Sequence, residues 1–312
     1  ITHMKKISLN QAVQFDISRL FNGAIDVDWL VNDPNIAASV ARSFVFHGPA
    51  YHGVTQTDVI ETGHKLIDSA SFVKETVQGL VSGEANAFTL AIAGFGSGKS
   101  HMAVTLTELL ETQDVAHRAT ILKNLAQADA SIAEHVERLL PEVEEKVLVI
   151  TLNGMNNFDL ASQLLKQAKG KLQKRHLSTD ALEGVRKRFE YAAKVLSTLN
   201  CDLLPTLLDA LNLSDVQEVL KKLVDYDEQT YKQVHQFLSE IGIPLQAIGD
   251  ETAKDVLTLL ATNYVGEGKP FKKILILFDE FGRYLEFATA HSHIAGNGAL
   301  QQFYDCLLYT SP

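Results

Sequence analysis

The sequence predicts an α/β fold: a doubly wound, mostly parallel sheet with a helical lead at its N-terminus and a large all-helical insertion. Three observations carry that prediction. A short apolar run at residues 88–93 enters a glycine-rich loop at 93–100, and an amphipathic run follows it. Two further runs, residues 146–152 and 272–280, are nearly continuous in β-branched and large apolar residues, the pattern of strands buried on both faces of a parallel sheet. Between them, about 115 residues show helical spacing and no convincing strand.

Residues 1–83 form the lead. Apolar clusters around Leu20, Ile25 and Trp29 are broken by Asn22-Gly23 and Asp33-Pro34. Residues 36–45 have helical spacing, 46–53 read as a loop from their Gly and Pro content, and 64–80 are helical again, with Leu66, Ile67, Ala70, Val73, Val77 and Leu80 on one face. His47 and His52 fall in the loop. Hydrogen-bonded loop histidines are the simpler reading of that pair, and contact with a base or a metal is the sharper one.

Residues 84–155 hold the first part of the core. Residues 118–140 read as one long amphipathic helix stopped by Pro141, and 146–152 as the second strand, ending at Asn153-Gly154. Residues 156–270 are the insertion, with helices expected over 160–177, 181–199, 203–211, 216–226, 231–241 and 252–264, divided by Pro205, Gly242 to Pro244 and Gly266 to Gly268. Residues 271–305 return to the core through the acidic strand at 274–280, and a helix is expected over 281–290. A bare strand–helix–strand crossover needs only a few tens of residues, so the excess is an inserted module.

The loop Ala93-Gly-Phe-Gly-Ser-Gly-Lys-Ser100 has the layout needed to bind phosphate. Glycines let the backbone curl so that successive N–H groups face phosphate oxygens. The candidate contacts are Gly94, Phe95, Gly96, Ser97, Gly98, Lys99, Ser100 and His101. Lys99 reaches the β- and γ-phosphates, the Ser100 hydroxyl ligates Mg²⁺, and the start of a helix adds its positive end. Ala93 stands where the usual pattern has its first glycine. The second constellation is Asp279-Glu280, at the C-terminal end of an apolar strand, where open α/β sheets bind ligands. Asp279 is the candidate Mg²⁺ ligand, directly or through water. Glu280 is the candidate general base on the attacking water and, with Lys99, the candidate catalytic residue. The plain alternative is that one of the two acids caps the following helix.

Composition narrows the function classes. Lys and Arg number 28 against 38 Asp and Glu, a net charge of −10, so bulk charge does not advertise nucleic-acid binding. Two cysteines, Cys201 and Cys306, make neither a disulfide framework nor a metal cluster. No apolar stretch reaches the roughly 18 residues of a membrane span, and no secretory signal opens the chain, so the cytoplasm is the expected compartment and no membrane is an expected partner. The one basic island, residues 160–195, holds nine Lys and Arg against three acids, a local charge of +6. It reads as a solvated face or subunit docking surface, with DNA phosphates as the alternative partner. Arg283 is expected to pair with Glu286 on its own helix rather than to sense nucleotide across a subunit interface. Met4 reads as a native start. Residues 306–312 read as a non-native tail, so the chain is expected to be a truncated reading frame.

Taken together, Ala93 to Ser100 and Ile274 to Glu280 resemble the P-loop NTPases of the additional-strand division, which includes the AAA+ ATPases. That resemblance implies a three-layer sandwich, ATP and Mg²⁺ as cofactors, and assembly into an oligomer or with other subunits. ATP is expected over GTP because no Asn-Lys-x-Asp guanine reader occurs. Gly-Phe-Gly-Ser-Gly-Lys-Ser-His with Phe-Asp-Glu-Phe-Gly-Arg-Tyr-Leu-Glu also resembles the large ATPases of bacterial phage-exclusion and restriction-like defence systems, over about 20 residues. The sensor strand and arginine finger that the division would place later are absent from the sequence. The expected function is Mg²⁺-dependent ATP hydrolysis that drives or gates a larger assembly. The alternatives are a nucleotide-gated scaffold with little turnover and a DNA-stimulated motor.

Overall fold

The computed structural model describes residues 24–52, 66–83, 88–94, 96–183, 185–199, 203–243, 245, 251–296, 298, 300–301 and 304. In chain order the helices are α1 (Trp29–Asn32), α2 (Pro34–Ser43), α3 (Pro49–His52), α4 (Ser69–Ser82), α5 (Lys99–Glu111), α6 (Val115–Ala128) and α7 (Ala130–Leu139). Strand β1 (Val147–Asn153) follows. Next come α8 (Leu160–Lys174), α9 (Lys187–Ser197), α10 (Leu204–Leu211), α11 (Val216–Val224), α12 (Glu228–Glu240) and α13 (Ala253–Tyr264). The chain then enters β2 (Lys273–Asp279), α14 (Phe281–Ala290) and α15 (Ser292–Ala295). It divides into two compact units, Ile1–Glu75 with Gly98–Arg138, and Thr76–Ser97 with Leu139–Pro312. This cut differs from the division into lead and core drawn from the sequence, because the lead packs with the helices that follow the glycine-rich loop.

In the first unit, α2 begins where Asp33 accepts a hydrogen bond from the Ile36 amide at 3.2 Å and Pro34 presets the first turn. Ala37 and Val40 of α2 pack with Val27, Leu30 and Val104, so α2 lies against α5. The C-terminal carbonyls of α5 are closed by Arg118, which donates to the carbonyls of Leu109 and Thr112. The single helix expected over 118–140 is in fact two, α6 and α7. Asp129 between them is extended (φ −160°, ψ 112°), and its carboxylate accepts from the Ile132 amide at 2.9 Å, starting a new helix instead of continuing the old one.

In the second unit, β1 and β2 pair in parallel from Val147↔Lys273 to Asn153↔Asp279. All seven residues of β1 are buried, and those of β2 are half-buried. Helix α8, capped by Asp159 through the Ser162 amide at 2.8 Å, covers β1, and α13 packs on α8. Helices α9 to α12 gather around Phe189, Tyr231 and Leu238 in the same core. The expected helices of the insertion thus appear close to their expected places.

The strand expected at 88–93 is not formed. Residues 88–94 lack regular structure and are exposed, Ile92 at 75%. A strand exists only through a partner, and among the described residues β2 pairs with β1 alone. Helices on a parallel two-stranded pair are what the described residues make.

Candidate functional site

The loop half of the site is built locally. The Ser97 amide donates to the Gly94 carbonyl at 3.3 Å, and Gly96 is left-handed at φ 74°. Gly98, also left-handed (φ 86°, ψ 18°), is the residue from which α5 starts. A side chain in that conformation would be strained, which is why glycine stands there. The first rung of α5 is the Met102 amide to the Gly98 carbonyl at 2.8 Å, so the amides of Lys99, Ser100 and His101 lie ahead of the helical ladder, at the positive end of a 13-residue helix. A Cβ built on Gly94 or Gly96 would meet nothing within 4 Å. An open loop, a side-chain-free cap and a helix start together suit a phosphate group. Phe95 lies outside the described residues.

His101 is oriented away from that role by its ring. Its Nε2–H donates to the Val40 carbonyl at 2.7 Å, and the ring stands edge-on to Phe44 with centroids 4.8 Å apart. Burial holds its pKa below the ordinary imidazole value, against the Val40 hydrogen bond, so the ring is neutral at pH 7. What His101 offers a ligand is its main-chain amide. The side chain ties α5 to α2.

The acidic half sits at the C-terminal end of β2. Asp279 Oδ1 accepts from the Glu280 amide at 3.0 Å, and Glu280 is left-handed (φ 50°, ψ 38°). For a non-glycine residue that conformation costs about 1–2 kcal/mol and persists only where its surroundings impose it. Glu280 occupies the cap position of α14, yet its side chain makes no capping hydrogen bond, so capping does not account for it. Behind the turn, the Tyr284 ring stacks on Phe158 at 4.6 Å and its hydroxyl donates to the Phe158 carbonyl at 3.3 Å. Tyr284 is fully buried, and that burial pushes its hydroxyl pKa upward. Asn153, opposite Asp279, and Gly154 complete the turn's surroundings. In the sequence they read only as the end of a strand.

One aromatic contact within the second unit links the segment leading into the loop with the acidic turn. Phe88 lies 6.1 Å, ring to ring, from Phe281, the residue directly after Glu280. Residues 88–93 therefore begin beside that turn, five residues ahead of Ala93.

Other singled-out groups find local partners. Arg283 lies 3.9 Å from Glu286 on an exposed face, the pairing expected from the sequence. His47 rests on Tyr51 with ring centroids 4.2 Å apart, and its backbone amide donates to the Ser69 hydroxyl at 2.7 Å; the His52 side chain lies outside the described residues. In the basic island, Arg186 donates to Asp159 at 2.6 Å and Arg188 to Glu228 at 2.5 Å, both in buried surroundings. Lys166 pairs with Asp225 at 3.5 Å, Lys169 donates to the Tyr226 hydroxyl, and Arg175 donates to the Glu145 carbonyl.

Among the described residues, no group of three or more His, Cys, Asp or Glu could hold a metal. Mg²⁺ does not need one, since it is commonly held by one or two protein oxygens with water and phosphate oxygens filling the rest. No helix among the described residues is long and apolar enough to cross a membrane. Compared with protein-family models, with curated proteins and with solved structures, the chain matches none of them.

Proposed function

We propose that the chain binds ATP with Mg²⁺ and hydrolyses it, as a P-loop NTPase of the additional-strand division whose turnover drives or gates a larger assembly. The observation that carries this reading is the seating of Phe88 on Phe281, which sets the segment running into the phosphate-type loop beside the turn that bears Asp279 and Glu280. The left-handed Gly98 at the start of α5 supports it independently. In this reading the fold is a three-layer sandwich whose sheet extends beyond the β1–β2 pair made by the described residues. Phage defence as the setting is supported by the resemblance of the two motif segments alone.

The chemistry follows from the residues. Loop amides and the Lys99 ammonium hold the β- and γ-phosphates and stabilise charge on the transferring phosphoryl group. The Ser100 hydroxyl and the Asp279 carboxylate would be the protein ligands of Mg²⁺, and the ion would supply neutralisation of the charge on the phosphates. Glu280 orients a water and takes its proton as the oxygen bonds to γ-phosphorus and the bond to the β-phosphate oxygen breaks, giving ADP and phosphate.

Lys99→Ala is expected to weaken ATP binding about 10- to 100-fold by calorimetry, the loss of a charge-assisted hydrogen bond worth roughly 1.5–3 kcal/mol. Glu280→Gln is expected to keep the wild-type affinity and to lose phosphate release by about 100-fold or more, the usual scale of general-base catalysis. Unchanged release in Glu280→Gln would remove its catalytic role. A wild-type chain that fails to bind ATP with Mg²⁺ would remove the reading as a whole.

A further inference from the structure

Building on the ATPase reading above, we infer that Gly154 is a positioning residue for Glu280: the side chain it lacks is what allows the turn after β1 to press on the Glu280 peptide and hold that residue left-handed. The two strand ends meet there. The Gly154 amide donates to the Asp279 carbonyl at 2.9 Å, extending the register one step past Asn153↔Asp279. A Cβ on Gly154 would lie 2.8 Å from the Glu280 carbonyl carbon, nearer still to its oxygen, and 3.1 Å from the Asp279 carbonyl oxygen. All three obstacles are backbone, so no flexible side chain can swing away to make room.

The turn that carries Gly154 is itself fixed. Asn153 Oδ1 accepts from the Met155 amide at 3.1 Å, and the Asn153 carbonyl accepts from the Asn156 amide at 3.1 Å. On the other strand the Glu280 amide is held by Asp279 Oδ1, and Tyr284 anchors the first turn of α14 to Phe158. The Glu280 peptide is therefore clamped between Gly154 and α14. Moving it by a few tenths of an ångström would re-aim the carboxylate. Gly154 acts through Glu280 and touches no reacting atom.

The test is Gly154→Ala in the 312-residue chain, with ATP affinity measured by calorimetry and phosphate release in single-turnover mode. The expected result is an affinity within about threefold of wild type and release slowed at least about tenfold, since a general base misplaced by a fraction of an ångström loses most of its effect. Added to Glu280→Gln, the same substitution is expected to cause no further loss. Wild-type release from Gly154→Ala overturns the proposal, as does a parallel fall in affinity and rate, which a merely structural role would produce. If Gly154→Ala does not fold, the wild-type chain decides by NMR: left-handed carbonyl and Cα shifts at Glu280 with a slowly exchanging Gly154 amide support the clamp, and ordinary right-handed shifts overturn it. If the wild-type chain binds no ATP, the ATPase reading fails, and the positioning role is still judged by whether the Glu280 shifts leave the left-handed range in Gly154→Ala or stay unchanged, the latter overturning it.

Discussion

Glu228 opens α12 with its carboxylate on the Arg188 guanidinium at 2.5 Å, in surroundings that leave it 5% exposed. Burial pushes its pKa up to about 7, and Asp159 adds to that, while Arg188, Arg186 and Lys232 pull against it. The sign for stability follows from proton counting. Between the ordinary carboxyl value of 4.5 and about 7 the folded chain keeps a proton that the unfolded chain has released. Stability from this group is thus fully present below the lower value and is lost as pH rises through the upper one. The loss is of order a few kcal/mol, since one pKa unit corresponds to about 1.4 kcal/mol and the pull of Arg188 is already contained in the value of about 7. Glu228→Gln keeps an acceptor for Arg188 and removes the titration. Its urea midpoint is expected to vary less than wild type between pH 4.5 and 7, and equal pH slopes in the two proteins would contradict the assignment.

At the scale of elements, Asp129 decides whether residues 115–139 are one helix or two. Its carboxylate caps α7 through the Ile132 amide, and its extended backbone ends α6. Asp129→Ala is expected to cost about 1 kcal/mol, the usual value of a lost N-cap, read as a lowered urea midpoint; a gain in helical circular dichroism with no loss of stability would mean that the break is set elsewhere. This break was hidden in the sequence because the apolar spacing runs straight through it, and only the Asp-x-x-Ile capping geometry marks it. The insertion was legible for the opposite reason. Each of its helices carries its own apolar face, and four of the six start from a capping Asp or Thr, at Asp159, Asp215, Asp227 and Thr252, so local pattern and packing agree. The glycine-rich loop and Asp279-Glu280 were legible because their chemistry is contained in contiguous residues. Whether residues 88–93 join a ladder was not, because pairing depends on a neighbour that local composition does not specify. Gly154 was visible as a residue but not as a contact, since its partner lies 126 positions on in β2's end turn.

For the molecule as a whole, the +6 island inside a chain of net charge −10 poses the question of DNA. Its partners are distant in sequence: Asp159 and Glu251 for Arg186, Glu228 for Arg188, Asp225 for Lys166. Lys171 is buried, and Arg175 lies over the Phe271 ring, 5.2 Å from its centre. These charges hold helices of the second unit together, and apart from Lys166, which is exposed beside Asp225, the exposed members of the island are Lys174, Lys187 and Lys194. Each phosphate neutralised contributes about −0.9 to the slope of log affinity against log salt, so three lysines give a slope near −3 at most, against a background of net negative charge that repels the duplex. Duplex DNA is accordingly expected neither to bind the chain at physiological salt nor to raise its phosphate release. Filter binding across a salt series, run beside a phosphate assay with and without DNA, checks both. A slope well beyond three contacts, together with DNA-stimulated release, would require Arg186 and Arg188 to leave their buried carboxylates, a rearrangement that should then show as a drop in thermal stability when DNA is absent and the acids Asp159 and Glu228 are replaced. Without that drop, the pairing described for the island would not be what organises the insertion.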